Sequence, residues 1–245
     1  MDRVMIIAAK DIKEALHSKV IYIYMLFLFL LSMSYFSSFR NVIGSLSEQG
    51  LSLLEIRFAG RAFLNGVYYT LPLVLSMLIC GIFSAYAVIL DKTKRTLESL
   101  LATPVSLREV WLGKSLAVAL PGVAVALLVS SLALGAMNIL IVMPSVGDFI
   151  LPDMLPMITA HVIIPLLTFL VVTLVSLLQL ITRNPRLANL TFTAVFLVIY
   201  FSTITELTAS WDFSLIYLVV AALLAAVIFY LSRFLTRERV ILSSR

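Results

Sequence analysis

The stretch that most resembles a nucleotide-binding motif is Gly-Lys-Ser at positions 113–115, which looks like the end of a P-loop. A P-loop also needs a glycine five residues before its Gly-Lys pair, and Arg108 occupies that position. The two histidines, His17 and His161, lie on opposite sides of the predicted membrane, so they cannot share a zinc ion. No H-E-x-x-H or G-x-S-x-G motif occurs. We therefore expect no catalytic, metal or cofactor site in this chain, which is predicted not to be an enzyme.

Polar residues inside or beside long apolar runs are the other candidates for chemistry. Such groups are costly in lipid and usually face protein or water, which makes them candidates for a transport pathway. Most of them lie near the ends of the runs, where headgroups or water can reach them, so they do not identify a substrate. They are Asn65, His161, Gln179, Asn189 and Glu206.

Composition places these residues in a membrane protein. The chain has 245 residues, of which 62% are hydrophobic and 13% charged, and its mean hydropathy is +1.09. A soluble fold of this size could not bury so much apolar surface. The net charge of +5 comes from short basic clusters between apolar runs and not from one basic stripe, which argues against nucleic-acid binding. Cys80 is alone, which excludes an intramolecular disulfide. We expect residues 1–245 to form a single membrane domain.

Long apolar runs predict an all-α, polytopic protein with six transmembrane helices. A helix needs about 20 apolar residues to cross the hydrocarbon core. The third run contains Pro121-Gly122, which predicts a kink or a break. The six predicted spans are residues 20–39, 67–90, 116–142, 157–181, 187–204 and 213–231.

The distribution of basic residues predicts the orientation of these spans. Fifteen of the 18 Lys and Arg residues fall in the N-terminal segment, between spans two and three, between spans four and five, or after span six. The other three, Arg40, Arg57 and Arg61, precede span two in what we expect to be an outer loop. By the positive-inside rule, both termini are predicted to be cytoplasmic, in the cytoplasmic (inner) membrane.

Residues 1–19 have the pattern of an amphipathic helix on the cytoplasmic membrane surface before span one. The predicted apolar face comprises Met5, Ala8, Ala9, Ile12, Ala15 and Leu16. The predicted polar face comprises Lys10, Asp11, Lys13, Glu14, His17 and Ser18. The residues expected to characterise this interfacial helix are Lys10, Ile12, Lys13, Leu16 and Lys19. Ordinary juxtamembrane positive charge is the simpler alternative.

The connection at residues 91–114 is too long for a turn and too patterned for a loop. Leu97, Leu100 and Leu101 would form one edge of a short helix that ends before Pro104. Ser106 and Glu109 then fit a capping box, with a hydrophobic staple from Val105 to Val110, so a new helix should begin near Leu107. A small helix presenting leucines to the cytosol is typical of a docking element for a soluble partner. Alternatively, it lies on lipid headgroups and binds nothing.

This segment closely resembles the first cytoplasmic loop of permease subunits of ABC transporters in the ABC-2 class. The matching residues read T-L-E-S-L-L-A-T-P-V-S-L-R-E at 96–109 and L-G-K at 112–114, with Thr96 where the family usually has glycine. Residues 9–19 similarly look like the amphipathic elbow helix of that family. Six spans with both ends inside also match its topology.

The resemblance implies a permease of an ATP-driven exporter whose coupling helix, residues 93–103, sits in a groove of a separate ATP-binding subunit. Two such subunits would bind ATP and Mg, and a second permease copy would complete a homodimer or heterodimer; membrane lipid is the other expected partner. The implied coupling residues are Lys94, Arg95, Leu97, Glu98, Leu100, Leu101, Thr103 and Pro104.

Other classes of function compete with this interpretation. A membrane anchor for a soluble complex would need only the docking loop. An intramembrane enzyme lacks the motifs named above, and a cation-coupled transporter would need acidic residues at mid-membrane, which the spans lack. The sequence does not identify the transported substrate.

Overall fold

The computed structural model describes residues 3–93, 104–182, 184, 193–194, 197, 213–236 and 240. The described part is helical, and no strand occurs within it. We number its long helices in chain order and count each π-helical turn as part of the helix that it interrupts. The first three are α1 (Arg3–Leu16), α2 (Lys19–Glu48) and α3, which comprises Leu53–Ser84, a π turn at Ala85–Ile89 and a last turn at Leu90–Thr93.

The second group of helices follows the 91–114 connection. Helix α4 comprises Leu107–Met137, a π turn at Asn138–Val142 and Met143–Val146. Helix α5 comprises Met154–Ile158, a π turn at Thr159–Ile163 and Ile164–Ile181, and helix α6 is Phe213–Ser232. In α5 the π turn comes directly before Pro165, where such a local adjustment can accommodate the missing N–H.

Five of these helices are long and apolar enough to span a membrane. They contain five of the six predicted spans, and the remaining one, residues 187–204, lies almost entirely outside the described residues. The spanning segments of α3 and α4 are 40 residues each, or about 60 Å of helix against about 30 Å of hydrocarbon. The ends of α3 and α4 therefore project beyond the hydrocarbon core.

The two ends of the bundle differ in what they carry. We call the end with α1, the last turn of α3 and the first turns of α4 the proximal end. The end with the first turns of α3 and residues 147–153 is the distal end. Along α3, 34 residues separate Arg57 from Asp91, which corresponds to about 50 Å.

The distal ends of α2 and α3 correct the sequence prediction of a long outer loop. Helix α2 continues past Arg40 to Glu48, and α3 already begins at Leu53, so only a short connection separates them. In the first turns of α3, Ile56, Gly60 and Leu64 are buried at four-residue spacing, while basic side chains occupy the exposed side. This one-sided apolar pattern keeps the segment helical although it carries two arginines.

Close packing between α3 and α4 corrects a second prediction. The segment Leu107–Met137 is continuous through Pro121, so of the two predicted possibilities the break is wrong and the kink stays a prediction. A Cβ atom at Gly122 would lie only 2.3 Å from the Cys80 sulfur, which means that this glycine lets the two backbones approach. Small residues serve the same purpose at helix contacts in other membrane proteins. The Pro-Gly pair thus marks a helix crossing.

Hydrogen bonds between helices add to this packing. The Trp111 indole N–H donates to the carbonyl of Thr173 at 3.0 Å, and the Gln179 amide donates to the Ser84 hydroxyl at 2.6 Å. Ser76 and Thr168 pair through their hydroxyls at 3.0 Å, which joins α3 to α5 in the buried core. Such bonds satisfy polar groups that have no access to water.

Candidate functional site

The proximal end contains a buried ion cluster formed by Asp11, Asp91 and Lys114. The ammonium of Lys114 lies 3.0 Å from the Asp11 carboxylate and 2.5 Å from the Asp91 carboxylate, and it also donates to the carbonyl of Ala87. The Lys114 side chain is 0% exposed, and the two aspartates are 5% and 13% exposed. Each residue comes from a different helix, so the cluster joins α1, the last turn of α3 and the start of α4.

The burial of Asp11 corrects its assignment to the polar face of α1. The side of this helix that is buried within the chain consists of Ile7, Ala8, Asp11 and Ala15. Helical periodicity had placed Asp11 on the polar side because it cannot account for a partner from another helix. Burial raises the pKa of the Asp11 carboxyl above its ordinary value, against the opposing effect of the Lys114 ammonium.

Gly113 lets α1 approach α4 beside this cluster. A Cβ atom at Gly113 would lie 2.9 Å from Cβ of Ile7 and 3.1 Å from the carbonyl oxygen of Val4. Both distances are shorter than ordinary van der Waals contacts, so any larger side chain here would push α1 away. The adjacent Gly113 and Lys114 therefore have separate roles: the glycine permits the contact and the lysine pairs across it.

The described flanks of the 91–114 connection are both held by neighbouring helices. On the α3 side, the Lys92 ammonium donates to the carbonyl of Thr182 at the end of α5, at 2.8 Å. On the α4 side, Arg3 of α1 donates to the carbonyl of Pro104 at 2.5 Å. The connection between these flanks is thus anchored on both sides.

The predicted start of α4 is confirmed. Ser106 is the N-cap, its hydroxyl accepts from the Glu109 N–H at 3.2 Å, and the Glu109 carboxylate accepts from the Ser106 N–H at 2.7 Å. Val105 packs against the hydrophobic core to which buried Val110 belongs, in agreement with the predicted staple. A reciprocal capping box of this kind fixes where the helix begins.

Most of the predicted coupling residues cannot be placed. Of that set, Pro104 is described and is exposed. The remainder lie outside the described residues: Lys94, Arg95, Leu97, Glu98, Leu100, Leu101 and Thr103.

The predicted interfacial residues are all described. Lys10 is exposed and pairs with Glu14 at 3.6 Å, while Lys13 and Leu16 are also exposed. Ile12 is half-buried, and Lys19 is the first residue of α2. Among these residues, only the half-buried Ile12 packs against the hydrophobic core.

The polar pathway candidates do not form one site in the described part of the chain. Asn65 lies at the distal end, His161 is exposed beside the ring of Tyr68, and Gln179 is buried near the proximal end, where it bonds to Ser84. Asn189 and Glu206 lie outside the described residues. No group of three or more potential metal ligands occurs in the described ranges.

The distal end holds exposed polar contacts between α3 and the α4–α5 connection. Arg57 pairs with Asp148 at 2.6 Å, and Arg61 lies 3.8 Å from Asp153. Asn65 donates to the Asp153 carboxylate at 2.6 Å and accepts from its N–H at 2.8 Å. These contacts attach residues 148–153 to the first turns of α3.

The role of Lys114 was missed at the level of sequence, where Lys114 was considered mainly as part of a false P-loop. A usable signal was present, because two charged residues, Asp91 and Lys114, flank the connection at the ends of two apolar runs. Opposite charges at neighbouring helix ends are candidates for an ion pair. Nothing in the periodicity of α1 indicated that Asp11 would join them.

The five long apolar helices indicate a multi-pass membrane protein, and comparison with known proteins supplies its family. A protein-family model described as ABC-2 family transporter protein matches residues 5–210. The chain belongs to this family and is a membrane component, or permease, of an ABC transporter. Searches among curated proteins and among solved structures gave no significant match.

Proposed function

We propose that this permease exports its substrate with energy from a separate ATP-binding subunit that docks on residues 93–103. Members of this family generally act with an ATP-binding subunit and as dimers. We infer two ATP-binding subunits, which hold ATP and Mg, and a second permease that makes a homodimer or a heterodimer. The transported substrate is left unassigned.

The buried ion cluster is the observation that supports this assignment. A docking element can move spanning helices only when its flanks are rigidly joined to them. Asp91 on α3 and Lys114 on α4 flank the proposed docking segment. Lys114 forms ion pairs with Asp91 and with Asp11 of α1. A displacement of the segment would therefore pull on three helices together, as in rigid-body switching.

The charge distribution supports the orientation in this proposal. The described basic residues of α1, of the last turn of α3 and of the first turns of α4 lie at the proximal end, and Arg57 and Arg61 lie at the distal end. By the positive-inside rule, the proximal end would face the cytoplasm, where ATP is available. Both chain termini would then be cytoplasmic, in the cytoplasmic or inner membrane. Exposed Met5, Ile6 and Leu16 on α1 give this helix an apolar surface that suits the membrane interface.

Co-purification with a genetically neighbouring ATP-binding subunit tests the docking site. Replacing Leu100 and Leu101 with Asp should abolish the association, because charged side chains cannot enter an apolar groove. The matched control is Leu53 and Leu54 replaced with Asp at the distal end, where both leucines are exposed. Equal retention of the partner by both double variants would refute docking at residues 93–103.

An ATP hydrolysis assay tests whether the ATP-binding subunit, and not the permease, hydrolyses ATP. The purified permease alone should hydrolyse no ATP, and turnover should appear only with the partner. A turnover by the permease alone that persists in a Lys114→Met variant would contradict the assignment of hydrolysis to the partner.

A further inference from the structure

A groove between α2 and α4 has two chemically different halves. Near the middle of the helices it is an apolar cleft of about 200 Å³, lined by residues that include Phe29, Met33, Leu132 and Ala136. Towards the distal end it widens to a cavity of about 690 Å³ whose lining includes Arg40. Phe36 lines both halves, so they are contiguous.

The apolar half is chemically suited to a hydrocarbon chain. Its one hydroxyl, on Ser32, donates to the carbonyl of Phe29 at 2.7 Å and is therefore already satisfied. The other lining side chains are hydrocarbon or thioether groups. A polar ligand would lose its hydration here without compensation, whereas an acyl chain would lose nothing.

The polar half is chemically suited to a headgroup. Its lining includes Arg40, Asn41, Ser45, Glu48 and Ser145. Arg40 has no ion-pair partner among the described residues, in contrast to Arg57 and Arg61, which both pair with aspartates. A guanidinium binds phosphate oxygens in a fixed, bidentate geometry. Glu48 lies eight residues, or about 12 Å, further along α2, so positive charge prevails at the level of Arg40.

The length of the groove matches one leaflet of a bilayer. Phe29 and Arg40 are separated by 11 residues of α2, or about 16 Å, and half of a hydrocarbon core is about 15 Å. Arg40 would then lie at headgroup depth while Phe29 lies near the bilayer midplane. The polar half is also the distal half, as expected for a lipid of the distal leaflet.

We propose that this groove binds one glycerophospholipid of the distal leaflet, with its phosphate at Arg40 and an acyl chain in the cleft between Phe29 and Ala136. The lipid would fill the space between α2 and α4; only 22% of the spanning window of α2 is buried within the chain. The proposal needs only the membrane location of the chain and not ATP-driven export.

Native mass spectrometry of the purified full-length permease with added phosphatidylglycerol tests the site. Arg40→Gln should weaken retention of the lipid about tenfold, the effect of losing one charged hydrogen-bonding group. Ala136→Trp should abolish retention, because an indole would occupy the cleft. The matched controls are Arg57→Gln, a distal arginine outside the groove, and Leu128→Trp, an exposed position on α4. Both controls should retain the lipid as the unmodified chain does.

Two further probes separate this site from its alternatives. Diacylglycerol, which lacks the phosphate, should bind at least tenfold more weakly, and glycerol phosphate, which lacks the chains, should not be retained. Equal retention of glycerol phosphate would make this a simple anion site and overturn the proposal. Dissociation of a permease dimer by Ala136→Trp would also overturn it, since the groove would then be a subunit interface. Unchanged binding of phosphatidylglycerol by Arg40→Gln would also overturn the proposal, and this result does not depend on whether Ala136→Trp folds.

Discussion

The two ends of the bundle use the same kinds of charged residue in opposite settings. At the proximal end, Lys114 and its two aspartates are almost completely buried. At the distal end, Arg57 and Asp148 form an ion pair of nearly the same length, yet their side chains are 43% and 64% exposed. Distance alone therefore does not rank these interactions, and exposure to water must be considered.

Burial makes the proximal cluster sensitive to the loss of any member. An exposed pair contributes little, because water solvates each charge well when the partner is absent. A buried pair also contributes little net stability compared with apolar residues, but removing one partner leaves a charge without water or counter-ion. The proximal end therefore depends on three helices remaining together, whereas the distal contacts can break and re-form. The proposed docking at residues 93–103 needs such a rigid connection at the proximal end.

The largest effect should follow the loss of the central cation. Lys114→Met keeps an unbranched side chain of similar length but leaves two carboxylates buried without a cation. We expect a loss of about 3–5 kcal/mol in the free energy of unfolding, measured by thermal or denaturant unfolding in detergent. Lys10→Met is the control, since Lys10 is exposed and forms only an i,i+4 pair with Glu14. If the two variants were equally stable, the buried cluster at Lys114 would contribute no more than an exposed ion pair does, which would contradict this prediction.

The close contact of α1 with α4 gives the next largest effect. Gly113→Ala places a methyl group within 2.9 Å of Ile7, so α1 must shift, and we expect a loss of about 1–3 kcal/mol. Gly135→Ala is the control, because nothing lies within 4 Å of its Cβ position and alanine favours the helix. A Gly113→Ala variant as stable as Gly135→Ala would show that α1 does not pack here.

Neutralising Asp11 should cost less than neutralising Lys114. Asp11→Asn keeps an oxygen that can accept from Lys114, which still has Asp91, and it resembles the protonated carboxyl that burial favours. We therefore expect the free energy of unfolding at pH 7 to change by no more than about 1 kcal/mol. Burial raises the pKa of Asp11, so the folded protein binds this proton more tightly than the unfolded chain. Stability from this group therefore rises as pH falls.

The pH dependence provides the measurement for Asp11. Between pH 7 and about pH 4, wild type should gain stability relative to Asp11→Asn, as followed by unfolding at each pH. A trend of the opposite sign would mean that Lys114 outweighs the burial of Asp11.

The features that sequence predicted best were those set by local chemistry. The capping box of Ser106 and Glu109 fixed the start of α4 within the chain itself, and the apolar runs predicted five of the spanning helices. Residues 20–39 fell short of the true end of α2, because hydropathy falls at Arg40 while helical structure continues to Glu48. Hydropathy indicates which part of a helix lies in lipid, but it does not indicate where the helix ends.

The features that sequence missed depend on contacts between distant segments. Asp11 and Lys114 are 103 positions apart and meet only because Gly113 lets two helices approach. Similarly, sequence indicated a kink or a break at Pro121-Gly122, but it could not indicate that Gly122 lies against Cys80 of another helix. Periodicity and turn chemistry concern neighbours in sequence, so they could not predict either contact.

The smallest effect should come from the exposed pair at the distal end. Arg57→Ala removes an ion pair at 2.6 Å whose members are both well exposed, so we expect a loss of no more than about 1 kcal/mol. Salt screens exposed charges, and the difference between wild type and Arg57→Ala should vanish as ionic strength approaches about 1 M. Unfolding at low and high salt measures this directly, with Arg40→Ala as the unpaired arginine control. The Lys114→Met deficit should persist in the same salt series, because buried charges are screened much less. If both deficits disappeared together, the cluster at Lys114 would be accessible to water, and the two ends of the bundle would not differ in kind.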